Sequence, residues 1–166
     1  GCNLYRASTT TYYWENITSV LNQIGPPEPY TCTSISDLEN YGNNLIISMY
    51  WYGGVGTLFF SDDHGNNWSE ITTFPAVFSS VYQHSVSDLL YEGEVLYAGT
   101  ATSENGIFYT QNLINWVEYS EGLSSFNLSV NQLYSTNHNL YKTGGTVNIY
   151  QNQLIDPLHP GDVNQD

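Results

Sequence analysis

Ser61-Asp62-Asp63-His64-Gly65-Asn66-Asn67-Trp68 is the stretch whose reading decides the fold of this chain. It follows the apolar pair Leu58-Phe59 and leads into Ile71. Each residue type suits a tight hairpin. Ser61 ends a strand, Asp63 is placed to accept hydrogen bonds from the turn's own amides, Gly65 permits positive φ, and Trp68 begins the return strand with a large apolar ring.

Working outward, the hairpin recurs. Leu4-Tyr5-Arg6 through Trp14-Glu15-Asn16-Ile17-Thr18 aligns without a gap on Leu58-Phe59-Phe60 through Trp68-Ser69-Glu70-Ile71-Thr72, with Ser8 to Thr11 in place of the Asp and Gly. A third copy runs from Ile107-Phe108-Tyr109-Thr110 to Trp116, one residue shorter, with Gln111 to Asn115 as its turn. A fourth begins at Val147-Asn148-Ile149-Tyr150 and lacks its Trp. The segments between hairpins repeat too. Ser36-Asp37-Leu38 with Leu45-Ile46-Ile47 aligns on Ser87-Asp88-Leu89 with Val95-Leu96-Tyr97, and on Asn131-Gln132-Leu133 with Leu140-Tyr141-Lys142. Each unit therefore reads as four short antiparallel strands rich in β-branched and aromatic residues. No long window carries a competing helical period. A few residues of helix fit the loops around Pro26-Pro27 or Asn112 to Ile114.

The Ser61–Trp68 stretch resembles the Asp-box, Ser/Thr-x-Asp-x-Gly-x-Thr-Trp, with Ser61, Asp63, Gly65 and Trp68 in place and Asn67 standing for the second Thr. In sialidases, sortilin-like receptors and many secreted repeat proteins this box is a structural hairpin at the rim of a propeller blade. The resemblance implies an all-β fold of propeller-like, four-stranded blades. The spacings agree: Trp14 to Trp68 is 54 positions and Trp68 to Trp116 is 48, a period in the range of propeller blades. The chain opens with the last two strands of one unit, holds two whole units, and closes with three strands of another. That is about three blades' worth, an incomplete ring, since propellers typically close with four or more. A fragment of a larger propeller, copies completing one another's blades by strand sharing, and an open stack are the arrangements left.

Residues 1–156 are expected to form this repeat domain and 157–166 a linker with the start of a further module. Pro160-Gly161-Asp162-Val163-Asn164-Gln165-Asp166 resembles the opening of a dockerin-type calcium loop. The resemblance implies oxygen ligands from Asp162, Asn164 and Asp166, but the following Gly and the later acidic ligand are missing, so calcium belongs to a longer parent.

Composition narrows the partners. Sixteen acids stand against Arg6 and Lys142 alone, a formal charge of −14. Nucleic acid and anionic bilayers demand cationic clusters, which two isolated cations do not supply. No apolar run is long enough to span a membrane, so no membrane insertion is expected. Scarce charge with abundant Asn, Ser, Thr and Tyr suits a secreted or extracellular all-β protein. Cys2 and Cys32 are the only cysteines. In a secreted chain they read first as one disulfide, with two buried thiols as the alternative.

Enzyme chemistry finds little to build on. The sialidase resemblance implies three arginines on the substrate carboxylate, and the sequence has only Arg6. A glycosidase needs two opposed carboxylates, and the spacing of Glu70, Glu92, Glu94 and Glu104 singles out no pair. The remaining enzyme reading is a fragment of a propeller glycoside hydrolase whose catalytic groups lie in blades elsewhere. His64, His84, His138 and His159 show no metal-ligand spacing. The most suggestive surface stretch is Met49-Tyr50-Trp51-Tyr52-Gly53-Gly54. The repeat alignment puts Trp51 in the loop between second and third strands, on the rim opposite the Asp-box turns, which the family resemblance implies is the ligand-bearing face. Tyr50, Trp51 and Tyr52 there could stack on a sugar or anchor a protein; packing within or between blades is the competing reading. Trp14, Trp68 and Trp116, at repeat positions, are expected to be packing residues. The expectation is a secreted, noncatalytic recognition or scaffold module for an extracellular glycan or protein, with a strand-sharing homo-oligomer as the alternative.

Overall fold

The computed structural model describes residues 2–10, 12–21, 32–51, 55–75, 86–102, 105–124, 128–144 and 149–155. Strand makes up 53% and helix 4%, so the all-β expectation holds. The strands are β1 (Tyr5–Ala7), β2 (Trp14–Asn16), β3 (Cys32–Tyr41), β4 (Asn44–Trp51), β5 (Val55–Ser61), β6 (Ser69–Glu70), β7 (Val86–Glu92), β8 (Val95–Thr100), β9 (Ile107–Thr110), β10 (Val117–Glu118), β11 (Gln132–Thr136), β12 (Asn139–Thr143) and β13 (Ile149–Gln153). They form four separate antiparallel sheets in chain order: β1-β2, β3-β4-β5-β6, β7-β8-β9-β10 and β11-β12-β13. Among the described residues no closed barrel or ring of sheets is found.

The two-strand opening, two four-strand units and three-strand close match the units read from the repeats. One backbone bond marks the shared register: Ile17 N donates to Leu4 O at 2.9 Å, Ile71 N to Leu58 O at 2.8 Å, and Tyr119 N to Ile107 O at 2.8 Å. The sequence alignment of the second strands, however, is one residue out. Asp37 faces Ser48 and Asp88 faces Gly99, while Leu38 faces Ile47 and Leu89 faces Ala98. Ile46 therefore corresponds to Tyr97, not Leu96. The turn lengths decide this, and because side chains alternate between faces a slip of one exchanges them all.

Three apolar clusters separate successive sheets. Leu4, Ile17 and Leu21 meet Ile47, Met49, Phe59 and Trp68. Ile46 and Leu58, on the other face of the second sheet, meet Val86, Leu89, Leu96 and Ala98. Val95, Tyr97, Ile107 and Tyr109, on the far face of the third, meet Val130, Leu133 and Leu140 of the fourth. The two inner sheets are thus covered on both sides, and all six residues of β8 are buried. Alternating residues send one side chain towards the preceding sheet and the next towards the following one.

The sheets approach closely. At Gly99 an added Cβ would lie 2.4 Å from Cγ1 of Val130. One unit earlier, Ser48 occupies the equivalent place and its Oγ donates to Val86 O at 2.6 Å. A β-bulge interrupts the register between Ile35 and Asp37 and again between Val86 and Asp88, which re-aims the aspartate that follows.

Two expectations need correction. Trp51 is not in a loop: its backbone is the last residue of β4, paired with Cys32 and Val55. Trp14 is not a packing residue: it is 66% exposed, whereas Trp68 is 6% exposed. Trp68 packs against the preceding hairpin, whereas no sheet among the described residues covers Trp14. A short helix, α1 (Thr18–Leu21), follows β2 and drives Leu21 into the first cluster. It starts where Asn16 Oδ1 accepts from Thr18 N at 2.9 Å. Residues 112–114 form a turn and not a helix, and Pro26-Pro27 lies outside the described residues.

Candidate functional site

The Ser61–Trp68 turn is organised by one carboxylate. Asp63 Oδ1 accepts from Asn66 N at 3.0 Å, Asn67 N at 2.8 Å and Ser61 Oγ at 3.0 Å, while Oδ2 accepts from Asn67 Nδ2 at 2.6 Å. Ser61 Oγ in turn accepts from Gly65 N at 2.9 Å, and Trp68 Nε1 donates to Gly65 O at 3.2 Å. Donation from the Asn67 amide and side chain, then from Ser61 and Asn66, brings the Asp63 pKa down to about 2. His64 and Gly65 both take positive φ, 61° and 84°. The third sheet repeats the device without charge: Asn112 Oδ1 accepts from Ile114 N at 3.0 Å and Asn115 N at 2.8 Å, Thr110 replaces Ser61, and Leu113 takes φ 60° where His64 does. Both oxygens of Asp63 are thus engaged by its own turn, and the arrangement holds a hairpin. Arg6 ties the first hairpin to it, donating to His64 O at 3.1 Å and Asn66 Oδ1 at 2.8 Å while paired with Glu15 at 3.0 Å.

A second carboxylate motif joins the sheets. Asp37 Oδ2 accepts from Leu89 N at 2.7 Å, and Asp88 Oδ2 accepts from Leu133 N at 2.7 Å. Donor and acceptor hold equivalent places in successive units. At the third such place stands Gln132, whose Oε1 accepts from Tyr134 Oη at 2.7 Å instead. Burial raises the Asp88 pKa to about 6, opposed by the Leu133 amide and assisted by the charges of Asp37 and Glu39. Burial raises that of Glu39 as well. Sequence alignment had matched these aspartates to each other but carried no sign that each reaches into the next unit.

Of the proposed ligand-binding residues, Tyr50 is half-buried within β4 between Ser34 and Gly56, the Trp51 backbone ends the strand, and Tyr52 lies outside the described residues. The β4–β5 connection is at the end of the second sheet opposite the Ser61–Trp68 turn, as antiparallel order requires. Cys2 is disulfide-bonded; the side chain of Cys32 lies outside the described residues, as do Asp162, Asn164 and Asp166. Among the described residues no three His, Cys, Asp or Glu side chains converge as a metal site. No helix among them is long and apolar enough to cross a membrane.

Sequence reasoning missed two features between the third and fourth sheets. Tyr97, Tyr109 and Tyr119 form a cluster with ring centroids 5.8 to 6.4 Å apart. Tyr97 Oη accepts from Ile155 N at 2.6 Å, and Tyr119 Oη donates to Gln153 O. Burial raises both phenol pKa values, that of Tyr119 to about 12. Beside them Lys142 is 2% exposed, its Nζ donating to Ser129 O at 2.8 Å, and burial lowers its pKa. Its place two residues after Leu140 on one face of β12 is the signal that could have found it. A cavity of about 180 Å³ opens there, lined by Ile107, Tyr119, Glu121, Leu140, Lys142 and Gln151 among others. That is below the usual size of a small-molecule pocket.

No family model matches the chain, and no curated protein does. Among solved structures it is similar to the crystal structure of the computationally designed Ika4 protein, at 10% identity and a TM-score of 0.45. The match covers 74% of this chain and 66% of that one.

Proposed function

We propose that this chain is a secreted, noncatalytic recognition or scaffold module built from Asp-box, propeller-type repeats, with an extracellular glycan or protein as its partner. The observation that carries the reading is the repeated inter-sheet bond, Asp37 to Leu89 and Asp88 to Leu133. A carboxylate reused at one repeat position to join successive sheets makes a stiff series, and a stiff frame with loops at its ends is what binding chemistry is usually mounted on. Four-stranded meanders buried against one another at a spacing of about 50 residues support the propeller-type reading. The spent acceptors of Asp63 support a structural role for the box.

The binding end in this reading is the one carrying Tyr50, Trp51 and Tyr52, away from the box turns. A polysaccharide pull-down comparing the chain with Trp51→Ala tests it. Retention by the original chain and at least tenfold weaker retention by the variant is the expected result. Equal retention removes this segment from the site, and no retention of any glycan by the original chain sinks the glycan partner.

A further inference from the structure

The three contacts between sheets share one sense: a face that looks towards the following sheet always meets a face that looks back. Among the described residues one face of each kind is left over. On the first hairpin the backward-looking side carries Tyr5 and Trp14, 51% and 66% exposed. Their equivalents in the second sheet, Phe59 and Trp68, are buried at 1% and 6%. In the third sheet, Phe108 and Trp116 are packed edge-on around Phe74. On the fourth sheet the forward-looking side carries Tyr134 and Tyr141, directly opposed across β11 and β12. The equivalents of these two in the third sheet are Leu90 and the fully buried Tyr97.

We infer that these two end faces are one interface: the fourth sheet of one copy docks on the first hairpin of a second copy, continuing the series head to tail. This goes beyond the recognition reading, since it needs no ligand, and it is a face-to-face contact and not an exchange of edge strands. Tyr5 and Trp14 together present about 250 Å² of surface on this face, and Tyr12, 83% exposed, lies in the adjoining turn. Charge permits the contact. In a chain of net charge −14, the backward face of the first hairpin shows Tyr5, Ala7, Trp14 and Asn16. The described forward face of the fourth sheet is uncharged as well, from Gln132 through Tyr134 and Tyr141 to Thr143.

Gln132 supplies the independent argument for which sheet comes next. At this place Asp37 and Asp88 each reach a first-strand amide in the following sheet. Among the described residues the first hairpin consists of third- and fourth-strand equivalents, and it offers no such amide there. An aspartate at 132 would be buried there unpaired, at a large desolvation cost; a neutral Gln already satisfied by Tyr134 fits. A contact of this heterologous kind builds a ring if the rotation closes and a string if it does not.

Sedimentation velocity across a concentration series tests the inference with the full chain and two surface variants, Trp14→Ser and Tyr134→Glu, whose circular dichroism should match the original. The chain is expected to form species larger than one copy, and each variant to lose them. Mixing the variants should restore a two-copy species, because each blocked copy keeps the face that the other needs. A chain that stays single at every concentration overturns the inference. So does a Tyr134→Glu variant that still associates while Trp14→Ser does not, because the first hairpin would then be docking on itself.

Discussion

Gly99→Ala probes the closest approach between sheets. The new methyl would sit 2.4 Å from Cγ1, 2.8 Å from Cβ and 3.3 Å from Cγ2 of Val130, a fully buried side chain. Distances this short oblige the third and fourth sheets to part or Val130 to leave its rotamer, an overpacking cost of about 1–3 kcal/mol. Losing a flexible glycine from the unfolded chain returns about 0.4–1 kcal/mol. A net loss of roughly 1–2 kcal/mol remains, a fall in Tm of about 2–8 °C for a chain of this size. Val130→Ala alone removes two buried methyl groups and should cost about 2 kcal/mol. In the double variant the alanine at 99 fills the space those methyls leave, so the combined loss should fall short of the sum by about 1 kcal/mol or more. Urea unfolding followed by tryptophan fluorescence measures all four corners of the cycle. Additivity within about 0.5 kcal/mol would mean that the two side chains do not meet, and the face-to-face packing described here would be wrong.

Trp68→Ala should cost about 3–5 kcal/mol, whereas Trp14→Ala in a dilute single copy should change stability by no more than about 0.5 kcal/mol; equal losses would erase the distinction between covered and uncovered sheets. Ser61→Ala leaves the buried Gly65 amide without its acceptor and should cost about 1–3 kcal/mol by thermal unfolding. Asp88 has a folded pKa of about 6 against an ordinary carboxylate value of 3.8. The folded chain therefore holds the extra proton between those values, and this group's contribution makes stability fall as pH rises from about 4 to 6, then level off. Asp88→Asn should flatten that window, and a denaturation slope unchanged by the substitution would refute the assignment. Asp63 has the opposite sign: its folded pKa lies near 2, so its contribution is present above about pH 4 and disappears as pH falls towards 2, a loss that Asp63→Asn should remove from the acid-unfolding curve.

What the sequence by itself determined is local. Alternating apolar positions, two-residue turns such as Asn137-His138 and the hydrogen-bonding residues from Ser61 to Trp68 specify strands and hairpins within a dozen positions, and the recurrence of that pattern specifies the units. The tertiary structure decided which face each unit covers. Trp14 and Trp68 are the same letter at the same repeat position, yet Trp14 is exposed because no sheet among the described residues covers it, while the first hairpin covers Trp68. The one-residue slip at Val95-Leu96-Tyr97 has a related cause: both faces of β8 are buried, so apolar character no longer tells them apart. Nothing local marks Asp37 and Asp88 as reaching the next unit, because the amides they accept from lie 52 and 45 positions further along the chain. Lys142 is one of two cations in the sequence, and its burial shows only in the packed structure. Contacts between sheets depend on residues far apart in sequence, and no spacing along one strand records them.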